Sequence, residues 1–103
     1  MLHTTTSFLD GMTDQLVQCA RAGAHVVSST EELSFPYDRS PERAERLDRV
    51  AREEGVVIVG TGVNPGYAMD TLPLMATGVC TDVQAVHVER VVNASERRRP
   101  LQE

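Results

Sequence analysis

Lysine is absent from this chain of 103 residues, so its positive charge rests on 10 arginines, set against 15 acidic residues for a net charge of −5. That balance excludes a nucleic-acid partner recognised by charge, and the single basic cluster, Arg97-Arg98-Arg99, reads as a solvated tail or a substrate-side patch. Long apolar runs are missing too. Nothing approaches the roughly 20 residues that cross a bilayer, and the N-terminus has no charged segment leading into an apolar one. No membrane partner is therefore expected, and a cytoplasmic location is the default. Cysteine is scarce: Cys19 and Cys80 allow one pair only, which rules out a disulfide scaffold and suits two small buried thiols. His3, His25 and His87 lie far apart, without the paired spacing of a zinc site, so no metal is expected.

What the chain does contain is strand and helix in alternation. Leu2 to Thr6 reads as a short strand. Leu9, Met12, Leu16 and Ala20 recur at helical spacing and predict a helix over about residues 8 to 22, stopped by Gly23. A second strand covers His25 to Ser29, and Thr30 to Arg39 is a loop long enough to suggest a function. Ser40-Pro41 starts a helix with Ala44, Leu47, Val50 and Ala51 on its buried face, and Gly55 ends it. The β-branched run Val56-Val57-Ile58-Val59 suits a strand covered on both faces. It empties through Gly60, Gly62 and Gly66 into a helix expected to start at Pro65, with Asn64 as its cap and first-turn amides open to a ligand.

This order predicts an α/β fold: a partial Rossmann-type parallel sheet with flanking helices, wound by right-handed crossovers. After Gly78 the pattern changes. Val83 to Val92 alternates partially, with His87 and Glu89 on one face and Gln84 and Arg90 on the other, as for the first strand of a C-terminal α+β domain. The expected division is residues 1–78 as the second half of a nucleotide-binding domain and residues 79–103 as the beginning of a substrate domain. Open sheet edges and a strand without a partner predict either self-association or a missing remainder.

Ligands of open α/β sheets sit beyond the carboxyl ends of the strands. Three segments should therefore converge: Thr4-Thr5-Thr6-Ser7, Ser28 to Leu33, and Gly60 to Gly66. They bring hydroxyls, the carboxylates of Glu31 and Glu32, and backbone amides with the Asn64 side chain. Adjacent glutamates also suit plain solvated charge, and in an extended segment only one of the two can enter a cleft. Phe35 and Tyr37 can wall that cleft from water, or Phe35 can simply pack on the neighbouring helix. The glycines do not match a dinucleotide fingerprint: the third falls one place late, Val86 stands where an acid is required, and Pro73 interrupts the helix. A loop beside a cofactor's reactive end, an independent phosphate loop and ordinary turn glycines remain the alternatives. No histidine sits in a context that would activate Ser28, Ser29 or Ser95, which speaks against a hydrolase.

Val26-Val27-Ser28-Ser29-Thr30-Glu31-Glu32-Leu33-Ser34-Phe35-Pro36 and Gly60-Thr61-Gly62-Val63-Asn64-Pro65-Gly66-Tyr67-Ala68-Met69-Asp70-Thr71-Leu72-Pro73 resemble the 2,4-diaminopentanoate dehydrogenase and native amine dehydrogenase family, which is grouped with dihydrodipicolinate-reductase-like proteins. The resemblance extends through Val88-Glu89-Arg90 and the tail from Asn93 to Gln102. It implies an NAD- or NADP-dependent oxidoreductase acting on a small amine or amino-acid substrate, of which this chain would be the middle third. It places Glu31 or Glu32 at the substrate amine as the catalytic group. Thr4, Thr5, Thr6 and Ser7, with Gly62, Asn64, Pro65 and Gly66, would border the nicotinamide. Dihydrodipicolinate reductases proper carry a histidine pair and a lysine in about the region of Asn93 to Glu103, where this chain has Arg97-Arg98-Arg99. Amine or diamino-acid oxidation is thus the expected activity, and a reductase of that second kind or a non-catalytic α/β interaction module the alternatives.

Overall fold

The computed structural model describes residues 1–93 and Ser95; Arg97-Arg98-Arg99 and the remainder of the tail lie outside the described residues. Three short strands, β1 (Leu2–His3), β2 (Val26–Ser28) and β3 (Ile58–Gly60), form a parallel sheet in the order β1-β2-β3. Helix α1 (Thr13–Arg21) connects the first two strands and α2 (Pro41–Glu54) the second two. Because the strand order follows the chain with crossovers of one hand, both helices fall on the same face. There Leu9, Leu16, Val17 and Ala20 meet Val26, Leu33, Leu47 and Val50 in one buried cluster.

The α2 boundaries match the expectation from Ser40-Pro41 and Gly55, and Ala44, Leu47 and Val50 are its buried stripe. Helix α1 starts later than expected. Met12 and Thr13 amides both bond to the Leu9 carbonyl at 3.0 Å, which makes residues 9–12 a turn ahead of the helix. The strands are also shorter than expected, with ladder pairing over two residues between β1 and β2 and three between β2 and β3. Cys80 is exposed and Cys19 half-buried, so burial of both thiols does not hold.

The register aligns two rows across the sheet. His3, Ser28 and Gly60 lie side by side on the helix face, and Leu2, Val27 and Val59 on the other. The second row is uncovered, with Leu2 81 %, Val27 38 % and Val59 42 % exposed. The expectation that Val56 to Val59 is covered on both faces is therefore corrected. β3 is an edge strand, and the row opposite the helices stays partly open to solvent. Residues 83–92 run without ladder partners among the described residues.

After β3 the chain takes a tight loop. Val63 and Gly66 form an isolated antiparallel bridge, and the Asn64–Pro65 peptide between them is cis. A π-helical turn, Tyr67–Thr71, runs on into α3 (Leu72–Ala76). Asn64 is therefore not the cap and Pro65 not the first helical residue. The Asp70 carboxylate reaches back to accept the Gly66 amide at 2.7 Å, which is where negative charge favours a helix start.

Candidate functional site

Beyond the carboxyl ends of the strands the three segments do converge. Thr4, Thr5, Thr6 and Ser7 leave β1, Ser29 and Glu31 follow β2, and Gly62, Asn64 and Pro65 follow β3; together they line a cavity of about 530 Å³. That volume is in the range of small-molecule sites. Backbone bonds join the walls: the Glu32 amide donates to the Ser7 carbonyl at 3.1 Å, and the Thr61 amide to Ser28 at 2.8 Å. Behind the wall, His3 Nδ1 lies 3.0 Å from the buried Ser28 hydroxyl, which donates to Thr30 Oγ1 at 3.0 Å. Thr5 Oγ1, 3.3 Å from His3 Nε2, ties the first segment to that buried network.

The two glutamates separate cleanly. They sit in a single 3₁₀ turn, Glu31–Ser34, whose chain is bent rather than extended. Glu32 turns inward to the protein. One of its oxygens accepts the Leu9 amide at 2.8 Å and the other the Ser40 hydroxyl at 2.6 Å. The Ser40 hydroxyl, then the Leu9 amide, outweigh partial desolvation and, with the Arg39 and Arg43 charges, hold this carboxyl below its ordinary range. Glu32 does not line the large cavity; it borders a smaller one of about 240 Å³ with Ser7, Phe8, Phe35 and Pro65. Glu31 lines both cavities, is exposed, and has no ion pair or side-chain hydrogen bond among the described residues. Its carboxylate is the one left for a ligand.

Two glycines are fixed by contact rather than by ligand approach. A Cβ on Gly60 would come within 2.6 Å of the Leu33 carbonyl group and 2.8 Å of the Ser34 amide nitrogen, so the glutamate turn rests directly on the end of β3. Gly66, at φ +130°, packs against the backbone of Gly62 and lies outside the large cavity. The first-turn amides after β3 are not open. Gly66 donates to Asp70, Tyr67 to Gly62 and Ala68 to Val63, so this helix start has no free set of donors for a phosphate.

Phe35 and Tyr37 pack edge to face, with ring centres 5.5 Å apart, and both stay largely exposed. Phe35 walls the smaller cavity and Tyr37 a groove between α2 and β3. Arg90 enters the lining of the large cavity from the segment after the helices, a position its sequence pattern did not announce. Its alternation with Glu89 only assigned it to one face of an expected strand.

No protein-family model matches the chain. It is 38 % identical over 95 residues to the 2,4-diaminopentanoate dehydrogenase of Acetoanaerobium sticklandii, a match covering 92 % of this chain and 27 % of that protein. Its fold is similar to the structure of an amine dehydrogenase from Mycobacterium smegmatis, with a TM-score of 0.67 and 28 % identity over 78 % of this chain and 24 % of the other. The chain thus spans about a quarter of the length of each. Both similarities agree with the resemblance carried by the glutamate turn and the loop after β3.

Proposed function

We propose that this chain forms the nicotinamide- and amine-facing segment of an NAD- or NADP-dependent oxidoreductase that acts on the CH–NH2 group of a small amine or diamino acid. The observation that carries this reading is the cavity that Glu31, without an ion pair or side-chain hydrogen bond among the described residues, lines together with Thr4 to Ser7 and Asn64. Residues from 79 onward would begin the substrate domain, and further protein would cover the bare sheet face.

The donor set fits one end of the cofactor. Neutral hydroxyls and an amide suit a carboxamide, while the internally bonded amides after β3 supply no grip on a pyrophosphate. Gly62, Asn64 and Pro65 would form one side of the nicotinamide position and Thr4 to Ser7 the other, with Gly66 shaping the loop from behind. A bound nicotinamide supplies the hydride acceptor. Glu31 then has two tasks. It accepts hydrogen bonds from the substrate ammonium, which orients the carbon to be oxidised, and it takes the proton that must leave nitrogen before that carbon can lose hydride. Glu32 takes no part in the proton transfer, because both its oxygens are committed to Leu9 and Ser40.

The test is a titration of the purified chain with reduced nicotinamide mononucleotide and with NADH, followed by backbone amide shifts. Comparable affinities, with shifts concentrated at Thr4 to Ser7 and Asn64, are expected from a site for the nicotinamide end alone. Tight binding of NADH only, centred on Gly60 to Gly66, would instead favour a phosphate loop, and binding of neither would refute the assignment.

A further inference from the structure

His3 is the one titratable side chain buried among the described residues, at 5 % exposure, and it touches the large cavity only through the lining residue Thr5. Its hydrogen-bond partners are all neutral: Ser28 Oγ lies 3.0 Å from Nδ1, and Thr5 Oγ1 and Gln15 Oε1 lie 3.3 and 3.4 Å from Nε2. A neutral imidazole has one donor nitrogen and one acceptor, and the bonds its partners make decide which is which. Ser28 has no proton to give the ring, because its hydroxyl donates to Thr30 Oγ1 at 3.0 Å. The Ser28 oxygen also accepts the Thr30 amide at 3.2 Å, which leaves one lone pair for the ring. Nδ1 is therefore the donor and Nε2 the acceptor. The Thr5 proton then has two takers, Nε2 and the sulfur of buried Met12 at 2.8 Å, and both lie on the protein side. If the Gln15 amide turns its NH2 group to Nε2, the Thr5 proton goes to sulfur and still points inward. Thr5 Oγ1 thus meets the cavity with lone pairs only.

Resting on the nicotinamide-facing role proposed for Thr4 to Ser7, we infer that His3 is a positioning residue: by holding the Thr5 proton inward it makes that hydroxyl an acceptor only, which recognises the NH2 group of a carboxamide and not its oxygen. A free threonine hydroxyl rotates and serves as donor or acceptor alike, so it does not distinguish an amide from a ketone of the same shape. A hydroxyl fixed as an acceptor does. A ligand without the N–H leaves that lone pair unpaired once water is displaced, and this asymmetry is what makes a polar contact selective. The discrimination is set by Ser28 and Thr30, two fully buried residues that do so through His3.

The test has two arms. In the nitrogen-labelled full chain at about pH 8, above the range in which histidine ordinarily titrates, NMR is expected to show the His3 N–H on Nδ1. An N–H on Nε2 overturns the inference, whatever the chain binds. The second arm is calorimetric titration with reduced nicotinamide mononucleotide and with its 3-acetylpyridine counterpart, in which a methyl group replaces NH2. The wild-type chain is expected to prefer the carboxamide about five- to tenfold, in line with one hydrogen bond. In H3N, which can keep the bond to Ser28 but removes the acceptor for Thr5, the ratio falls to near one. H3Q, whose side-chain oxygen reaches toward the place of Nε2, recovers part of it. T5V, at an exposed position, also brings the ratio near one, and T5S keeps it. A wild-type ratio near one overturns recognition by Thr5, and a ratio lost in T5V but kept in H3N takes the role from His3. Equal weakening of both analogues in H3N, with the ratio unchanged, makes His3 structural only. Binding of neither analogue by the folded chain refutes the nicotinamide reading itself and, with it, the ligand given to Thr5.

Discussion

The Glu32 carboxylate is bound into the fold, and this has a pH signature. Its carboxyl is held below the ordinary value of 4.5 by the Ser40 hydroxyl and the Leu9 amide, and these bonds exist only in the folded chain. A depressed folded pKa contributes stability that is fully present above the unfolded value and is lost as pH falls through the folded one. E32Q keeps one acceptor where two donors need satisfying, so it should cost about 1–2 kcal/mol at pH 7, the lower end being favoured by partial solvent screening. Urea denaturation should show the gap between wild type and E32Q narrowing as pH drops below the ordinary glutamate range. A gap independent of pH would mean that the carboxylate charge is not what matters. E31Q, which removes no ion pair or side-chain hydrogen bond among the described residues, should leave stability at pH 7 unchanged. Sequence reasoning reached the pair but could not divide it, since the division depends on Leu9 and Ser40, 23 and 8 residues away, arriving at the same carboxylate.

At the scale of elements, the helices were the most legible part because periodicity and caps are local signals. Pro41 and Gly55 bracket α2 as they should. The loop after β3 was less legible. Asn-Pro-Gly reads locally as cap, first residue and open turn, but the Gly62–Gly66 backbone contact closes the loop, Gly66 takes the cap position and Asp70 accepts its amide. The role of Gly60 was hidden for a similar reason, as it depends on Leu33, which no sequence spacing connects to it. Gly55 and Gly60 make a useful contrast. Gly55 has φ +65° and open space around it, so G55A should cost only the left-handed penalty, about 1 kcal/mol. Gly60 has backbone atoms in the way, so G60A must move β3 or the glutamate turn and should cost about 1–3 kcal/mol. Thermal unfolding will rank the two, and only G60A should shift the amide resonances of Glu31 to Ser34. Equal costs with no such shift would sink the claim that the turn rests on the strand.

For the whole molecule the informative feature is the one-sided sheet. Neighbours on β2 point in opposite directions, Val26 into the core at 1 % exposure and Val27 out of it at 38 %. V26T should cost about 1–2 kcal/mol, because a buried hydroxyl replaces a methyl, while V27T should stay within about 0.5 kcal/mol. If denaturation shows V27T to be as damaging as V26T, the Leu2-Val27-Val59 row is covered in solution, and a concentration-dependent midpoint would identify a second copy as the cover. The β-branched runs announced strands suited to two-sided burial, but whether both sides are filled is decided by what packs beside them and cannot be read from the runs themselves.

The bond from Glu32 to Leu9 and Ser40 also couples the cavity wall to the rest of the fold. Its acceptors and donors come from the entrance to α1, the turn after β2 and the entrance to α2, so they can meet only once both helices are seated on the sheet. Leu33 of the same turn belongs to the buried cluster, so the wall carrying Glu31 is fixed only with the fold as a whole. Readiness to engage a ligand should therefore be lost on warming together with the Leu16–Val50 core, in one transition and not before it.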